Sequence, residues 1–160
     1  MTTSDAREQL KGASSAYVTF SLADETYAID VLQVQEVLKL TEIAPVPGVP
    51  DYILGIINLR GSVVTVIDAR RRMSLPERAP DDASRIVIID VDKQNVGILV
   101  DAVAEVVQIP PEAVDPAPAV GNDQTSRFIL GVSSTEEGLT ILIDLNKLLS
   151  DEDWAAIRDI

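Results

Sequence analysis

The chain has 160 residues, 46% of them hydrophobic, enough for one compact domain or two small ones packed intimately, and 13 basic against 26 acidic residues leave it a net charge of −13. That balance repels phosphate backbones and anionic lipid, so nucleic acid is not an expected ligand and basic protein partners are favoured. With no cysteine and no histidine there is no disulfide framework, no thiol nucleophile and neither the commonest general base nor the commonest zinc ligand, so no metal or cofactor is expected.

Met1 to Ser15 is too polar to offset its ordering entropy and is expected to be a flexible tail over 1–15. No apolar core follows Arg7 and Lys11, so this is not a signal peptide, and no apolar run approaches the roughly 20 residues that span a bilayer. A cytoplasmic protein without direct membrane insertion is expected. Order begins at Tyr17: Tyr17 to Leu22 is β-branched and aromatic, Ala23 to Thr26 is turn-like, and Tyr27 to Asp30 resumes the strand, making a hairpin. Val31 to Leu40 reads as one helical turn and then a strand over Gln35 to Leu40. The proline-rich Ala44 to Pro50 is an extended connector, because proline lacks the donor and restricts the residue before it.

Gly55 to Asp68 reads as two short apolar strands around a polar interruption, Asn58 to Ser62, a hairpin whose Gly61 supplies the positive φ of a tight turn. Asn58, Leu59 and Arg60 are thereby held on a stiff backbone, although an arginine beside a hairpin is ordinarily a solvated charge. Asp68 precedes a short helical pattern, Ala69 to Met73, and suits an N-cap better than catalysis. The run Arg70 to Arg72 reads as the solvated face of that helix, the alternative being a contact with an acidic partner.

The second half repeats the first. Shifted by 69, Tyr17 to Leu22 falls on Ile86 to Val91, Ile29 on Ile98, Val34 to Val37 on Val103 to Val106, and Pro47 on Pro116. Shifted by 76, Tyr52 to Ile56 falls on Phe128 to Val132 and Val63 to Asp68 on Leu139 to Asp144, which places about seven extra residues in a loop over Ala117 to Ser126. Two strand-rich units of about 60 residues, each marginal alone, imply two small barrels or sandwiches sharing a core. Gly55 with Gly131 and Asp68 with Asp144 then serve the shared fold. At the central hairpin the copies differ, Asn58-Leu-Arg-Gly61 in the first against Ser134-Thr-Glu-Glu137 in the second, so the fold does not require Arg60 and a partner contact becomes its expected role. Ser150 caps a C-terminal helix over 150–160, with acids in its first turn and Leu149 placed to staple against Trp154.

Asp81-Asp82 has no spacing that fixes two carboxylates across a substrate, and no phosphate loop, serine elbow or metal-spaced cluster occurs, so an enzyme is not expected. The segments Tyr27 to Asp30, Val34 to Val37, Gly55 to Gly61 and Val66 to Arg70 resemble the CheW family of chemotaxis adaptors over about Ala16 to Leu149. The resemblance implies an all-β fold of two pseudo-symmetric, five-stranded SH3-like β-barrel subdomains with short helices and a C-terminal helix, the repeats lying at about 16–75 and 85–149 of one CheW-like domain over 16–149. It implies a stand-alone, non-catalytic adaptor that links the cytoplasmic tip of a chemoreceptor, a methyl-accepting chemotaxis protein, to the histidine kinase CheA at membrane-associated receptor arrays. It further implies a receptor site in the groove between subdomains at Val34, Glu36, Gly55, Arg60 and Val106, to which the hairpin motif adds Asn58, while the kinase docks on pseudo-equivalent barrel ends. Glu36 has a counterpart in Glu105, so a shared structural carboxylate stays open for it. A CheW-like scaffold in a non-chemotactic array and a small hydrolase remain the alternatives.

Overall fold

A computed structural model describes residues 16–91, 94–116, 128–135, 138–158 and 160. The expected tail over 1–15 and loop over Ala117 to Ser126 lie outside the described residues. The strands are β1 (Ala16–Leu22), β2 (Glu25–Asp30), β3 (Val34–Lys39), β4 (Ile53–Leu59), β5 (Ser62–Asp68), β6 (Arg85–Val91), β7 (Gln94–Val100), β8 (Ala102–Gln108), β9 (Ile129–Thr135) and β10 (Gly138–Ile143). The helices are α1 (Ala69–Arg72), α2 (Leu145–Leu148) and α3 (Asp151–Arg158), with short 3-10 turns at Val31–Gln33 and Pro111–Ala113.

The repeat is carried into the hydrogen-bond register. β1 pairs with β2 through Tyr17↔Asp30, Val18↔Ile29 and Phe20↔Tyr27, and β6 pairs with β7 through Ile86↔Leu99, Val87↔Ile98 and Ile89↔Val96, the same pairs displaced by 69. In β4–β5 and β9–β10, Gly55↔Val66 and Asn58↔Val63 recur as Gly131↔Leu142 and Ser134↔Leu139, displaced by 76, and a bulge recurs at the same place. The connectors match through the bridges Ala44↔Ile56 and Asp115↔Val132. That match is displaced by 71 on the connector side, so two of the extra residues precede Asp115, and Pro47 does not fall on Pro116 as the alignment expects.

Repeats and barrels do not coincide. One sheet runs β8-β1-β2-β10-β9 and the other β3-β6-β7-β5-β4, so each takes strands from both halves, and exchanging the halves converts one order into the other. The exchanges are made by β1 on β8, β3 on β6, and the parallel pairs β2 on β10 and β5 on β7. We call the first sheet barrel 1 and the second barrel 2.

Alternation sends one face of each strand into a core shared by both barrels, with Val18, Phe20, Leu22 and Ile29 from one side against Ile67, Val87, Ile89 and Ile98 from the other. Phe20 and Tyr27 stack in it with ring centroids 5.8 Å apart. Barrel 2 also has an interior of its own, Ile57, Val64, Val66, Ile86, Ile88 and Leu99, while that of barrel 1 reduces to Ala28, Ile109 and Leu142. The cause is legible in the repeat: Ile57, Val64 and Ile88 correspond to Ser133, Thr140 and Thr19, all three buried polar residues.

Candidate functional site

β3 and β4 are the two edge strands of barrel 2. A contact between them, or between β3 and the β4–β5 turn, means that the sheet has curled until its edges meet. Arg60 makes that contact: its Nη1 lies 3.0 Å from Oε1 of Glu36 on β3.

Each partner is aimed by local backbone. The β4–β5 loop consists of Arg60 and Gly61, with φ of +52° and +88°, the two left-handed positions of a type I′ turn, so Arg60 adopts a conformation costly for any residue but glycine. Asn58 steadies the turn by accepting the Gly61 N–H on its side-chain oxygen at 2.9 Å. Glu36 stands at a β-bulge, where Val34 pairs with Ile89 but Glu36 with Ile88, and a bulge re-aims the side chain beside it. The environments are unequal, since 71% of the Arg60 side chain is exposed and only 28% of that of Glu36. Glu36 Oε1 itself is buried and accepts no hydrogen bond, so its contact with Arg60 is ionic rather than a directed N–H···O bond. The seam therefore presents an exposed guanidinium ion-paired to a largely shielded carboxylate.

The remaining expected site residues divide. Val34 lies two residues before Glu36 on β3 and packs, partly buried, on the shared core, as does its repeat equivalent Val103. Gly55 lies on β4, where a Cβ would come 2.1 Å from the Ala44 carbonyl oxygen; it lets the connector close over the strand. Val106 stands apart on β8 of barrel 1, 58% exposed. The counterpart of Glu36, Glu105, is exposed, and its backbone N–H and C=O are both bonded to the Thr19 hydroxyl. The sequence positions equivalent to the pair are Glu105 and Glu136, two acids that cannot form an ion pair with each other.

The reading of Arg70 to Arg72 as a solvated face is corrected by the structure. Asp68 does cap α1, accepting the Arg70 N–H at 2.9 Å, and burial pushes its carboxyl above the usual range against the pull of the Arg70 and Arg71 N–H groups. Arg70 is buried, and its Nε and Nη2 clasp the two carboxylate oxygens of Asp101 at 2.8 and 2.6 Å while Nη1 donates to the Pro76 carbonyl at 2.7 Å. Arg72 holds Oδ2 of Asp153 on α3 through Nε at 3.0 Å and Nη2 at 2.8 Å, and its guanidinium lies 5.7 Å from the Tyr52 ring centroid. Arg71 reaches the Asp51 carbonyl, Asp68 and Glu77. Like charges in a row mimic a solvent face when their partners are 31 and 81 residues away. The repeat held the missing signal, because Arg70 falls on Asn146 and Asp101 on Leu32.

Among the described residues no cluster of acids can hold a metal ion and no helix is long and apolar enough to cross a membrane. The sequence pattern of the CheW-like domain matches residues 16–153. The chain is 31% identical to chemotaxis protein CheW of Klebsiella aerogenes over 90% of this chain and 87% of that one, and 37% identical to chemotaxis protein CheW of Bacillus subtilis over 84% and 86%. Among solved structures, the scaffolding protein TtCheW from Thermoanaerobacter tengcongensis superposes with a TM-score of 0.78 at 38% identity, covering 85% of this chain and 92% of that one. The curled, strand-exchanged sheets, the repeat and these matches together make this chain a member of the CheW-like domain family, whose two SH3-like barrels form a scaffold and not an enzyme.

Proposed function

We propose that the chain is a cytoplasmic chemotaxis adaptor that couples the cytoplasmic tip of a chemoreceptor to the histidine kinase CheA at membrane-associated arrays, with Glu36, Asn58 and Arg60 on barrel 2 and Val106 on barrel 1 facing the receptor and Val34 and Gly55 supporting that surface from within. The observation that carries this reading is the Arg60–Glu36 pair at the seam of barrel 2, where Arg60 keeps an exposed guanidinium in a left-handed turn and Glu36 keeps a buried oxygen without a hydrogen bond. The repeat carries two acids, Glu105 and Glu136, at the equivalent positions, so the shared strand pattern does not require this pair. A conformation costly to hold and unnecessary to the fold is the kind retained for binding. The relatives named as chemotaxis proteins and the neighbour described as a scaffolding protein support the same reading.

The test is binding of the purified protein to a receptor-tip fragment and to CheA, separately and together. Arg60→Ala should weaken receptor assembly by about 1 to 3 kcal/mol, the range for a charge-assisted contact at a desolvated interface, and change folding stability by under about 0.5 kcal/mol. Unaltered assembly with a large loss of stability would return Arg60 to the fold. Failure of the unsubstituted protein to bind either partner would overturn the adaptor reading itself.

A further inference from the structure

We infer that Asp101 is a positioning residue: its carboxylate locks the two barrels at one fixed angle, and through that angle sets the spacing of the receptor-facing residues contributed by each. Asp101 sits where the chain leaves β7 of barrel 2 and enters β8 of barrel 1. Its Oδ1 accepts from Arg70 Nε at 2.8 Å, and its Oδ2 accepts from Arg70 Nη2 at 2.6 Å and from the backbone N–H of Ala23 at 3.0 Å, with Arg78 Nη1 3.5 Å away. Ala23 is in the β1–β2 turn of barrel 1 and is held there at φ +50°; Arg70 is on α1, at the end of β5 in barrel 2. One carboxylate thus joins both barrels, and the Asp101 N–H donating to the Ser21 carbonyl at 3.1 Å adds a second tie to the same hairpin.

The core shared by the barrels is apolar, and the polar ties from Tyr52 and Arg72 to Asp153 run to α3 rather than to either sheet. The shared core attracts without direction, so it favours contact between the barrels but tolerates small rotations, whereas a bidentate guanidinium–carboxylate fork defines an angle. The pseudo-twofold supplies the comparison: at the opposite junction Asp101 is replaced by Leu32, which is exposed, and Arg70 by Asn146. Leucine and asparagine cannot make such a fork, so the repeat itself does not require one. Its consequence for binding rests on the adaptor reading above, which draws Val34, Glu36 and Arg60 from barrel 2 and Val106 from barrel 1.

The absence of cysteine allows paired spin labels without background. With Ser134→Cys reporting barrel 1 and Val63→Cys barrel 2, both exposed strand positions, the distance distribution well below the melting midpoint should be narrow in the otherwise unsubstituted protein and broader in Asp101→Asn. In the same variant, affinity for the receptor-tip fragment should fall at least about fivefold, the lower end of ordinary coupling between sites. Arg70→Lys keeps the charge but loses the fork, and should give an intermediate width; it carries the test should Asp101→Asn fail to fold. A folded Asp101→Asn or Arg70→Lys protein with an unchanged distribution would overturn the lock. An unsubstituted protein that binds no receptor tip would overturn the adaptor reading and leave the distance measurement to decide the lock alone.

Discussion

Gly55 shows how closely one atom can bind fold to site. It lies on the same strand as Asn58, with φ at +151°, under a connector whose Ala44 both donates to and accepts from Ile56. Gly131 repeats the arrangement, with the Asp115 carbonyl oxygen 2.6 Å from where its Cβ would be. In both cases a backbone oxygen obstructs and cannot swing aside, and at Gly131 the Val114 side chain crowds the position as well. Gly55→Ala should therefore cost about 3 kcal/mol or more of stability, measurable by denaturant unfolding, and any loss of partner binding should track the unfolded fraction. Asn58 is a milder case of the same double service, since Asn58→Ala removes the acceptor of the Gly61 N–H and frees the turn that aims Arg60. The hairpin motif that marks Asn58 and Arg60 is visible in sequence because turn chemistry is local. The role of Glu36 is not, because its partner lies across a seam that exists only once the sheet has closed.

At the scale of elements, the two barrels are alike in register and unlike in filling. Thr19, Ser133 and Thr140 replace apolar interior residues of barrel 2, so the β9–β10 hairpin buries less apolar surface than β4–β5. Native-state hydrogen exchange should then open β9–β10 at a lower free energy than β4–β5, and equal protection in the two hairpins would contradict this account. The strands and the short helices were legible because alternation, turn residues and an offset that holds within each segment are properties of neighbouring residues. The exchange of strands was not, since alternation states which face of a strand is buried and nothing about which strand lies beside it. The C-terminal helix joins both kinds of information. Ser150 caps as expected, its Oγ accepting the Asp153 N–H at 3.2 Å, Asp153 Oδ2 accepts the Ser150 N–H in return at 2.8 Å, and Leu149, Trp154 and Ile157 pack on the shared core. The ties from Tyr52 and Arg72 to Asp153 were invisible in the sequence. Deleting Ser150 to Ile160 should lower the melting midpoint by several degrees; an unchanged midpoint would mean that the helix is loosely held.

For the whole molecule these ties set the pH range of stability. The Arg70 fork holds Asp101 below the usual carboxylate range. At Asp153 burial pushes upward but is outweighed by hydrogen bonds from Tyr52 and Ser150 and the charge of Arg72, so this carboxyl is also lowered. A lowered group stabilises fully above its unfolded value, near about 4, and loses that contribution as pH falls through its folded value. Tyr52 runs the opposite way. Burial, then its bond to Asp153, raises it, so its contribution is full below an unfolded value near about 10 and fades as pH rises through the folded value. Thermal melts across pH should show a plateau with an acid limb and an alkaline limb, and Asp153→Asn should lower the plateau and flatten both, because the same carboxylate serves each.

The exchanged strands also decide when the chain can fold. β1 must wait for β8 and β2 for β10, partners that are made most of a protein's length later, so neither barrel can assemble from a nascent first half. Long sequence separation between paired strands slows closure, and during that delay the unpaired edges are exposed to association. Two fragments divided in the β5–β6 connection, near Pro80, should each be largely unstructured alone and should recover the native β signal when mixed. A first fragment that folds by itself would show that the exchange is a late rearrangement of preformed units. A chain obliged to finish before it folds acquires both faces of the adaptor together, and a truncated product presents neither.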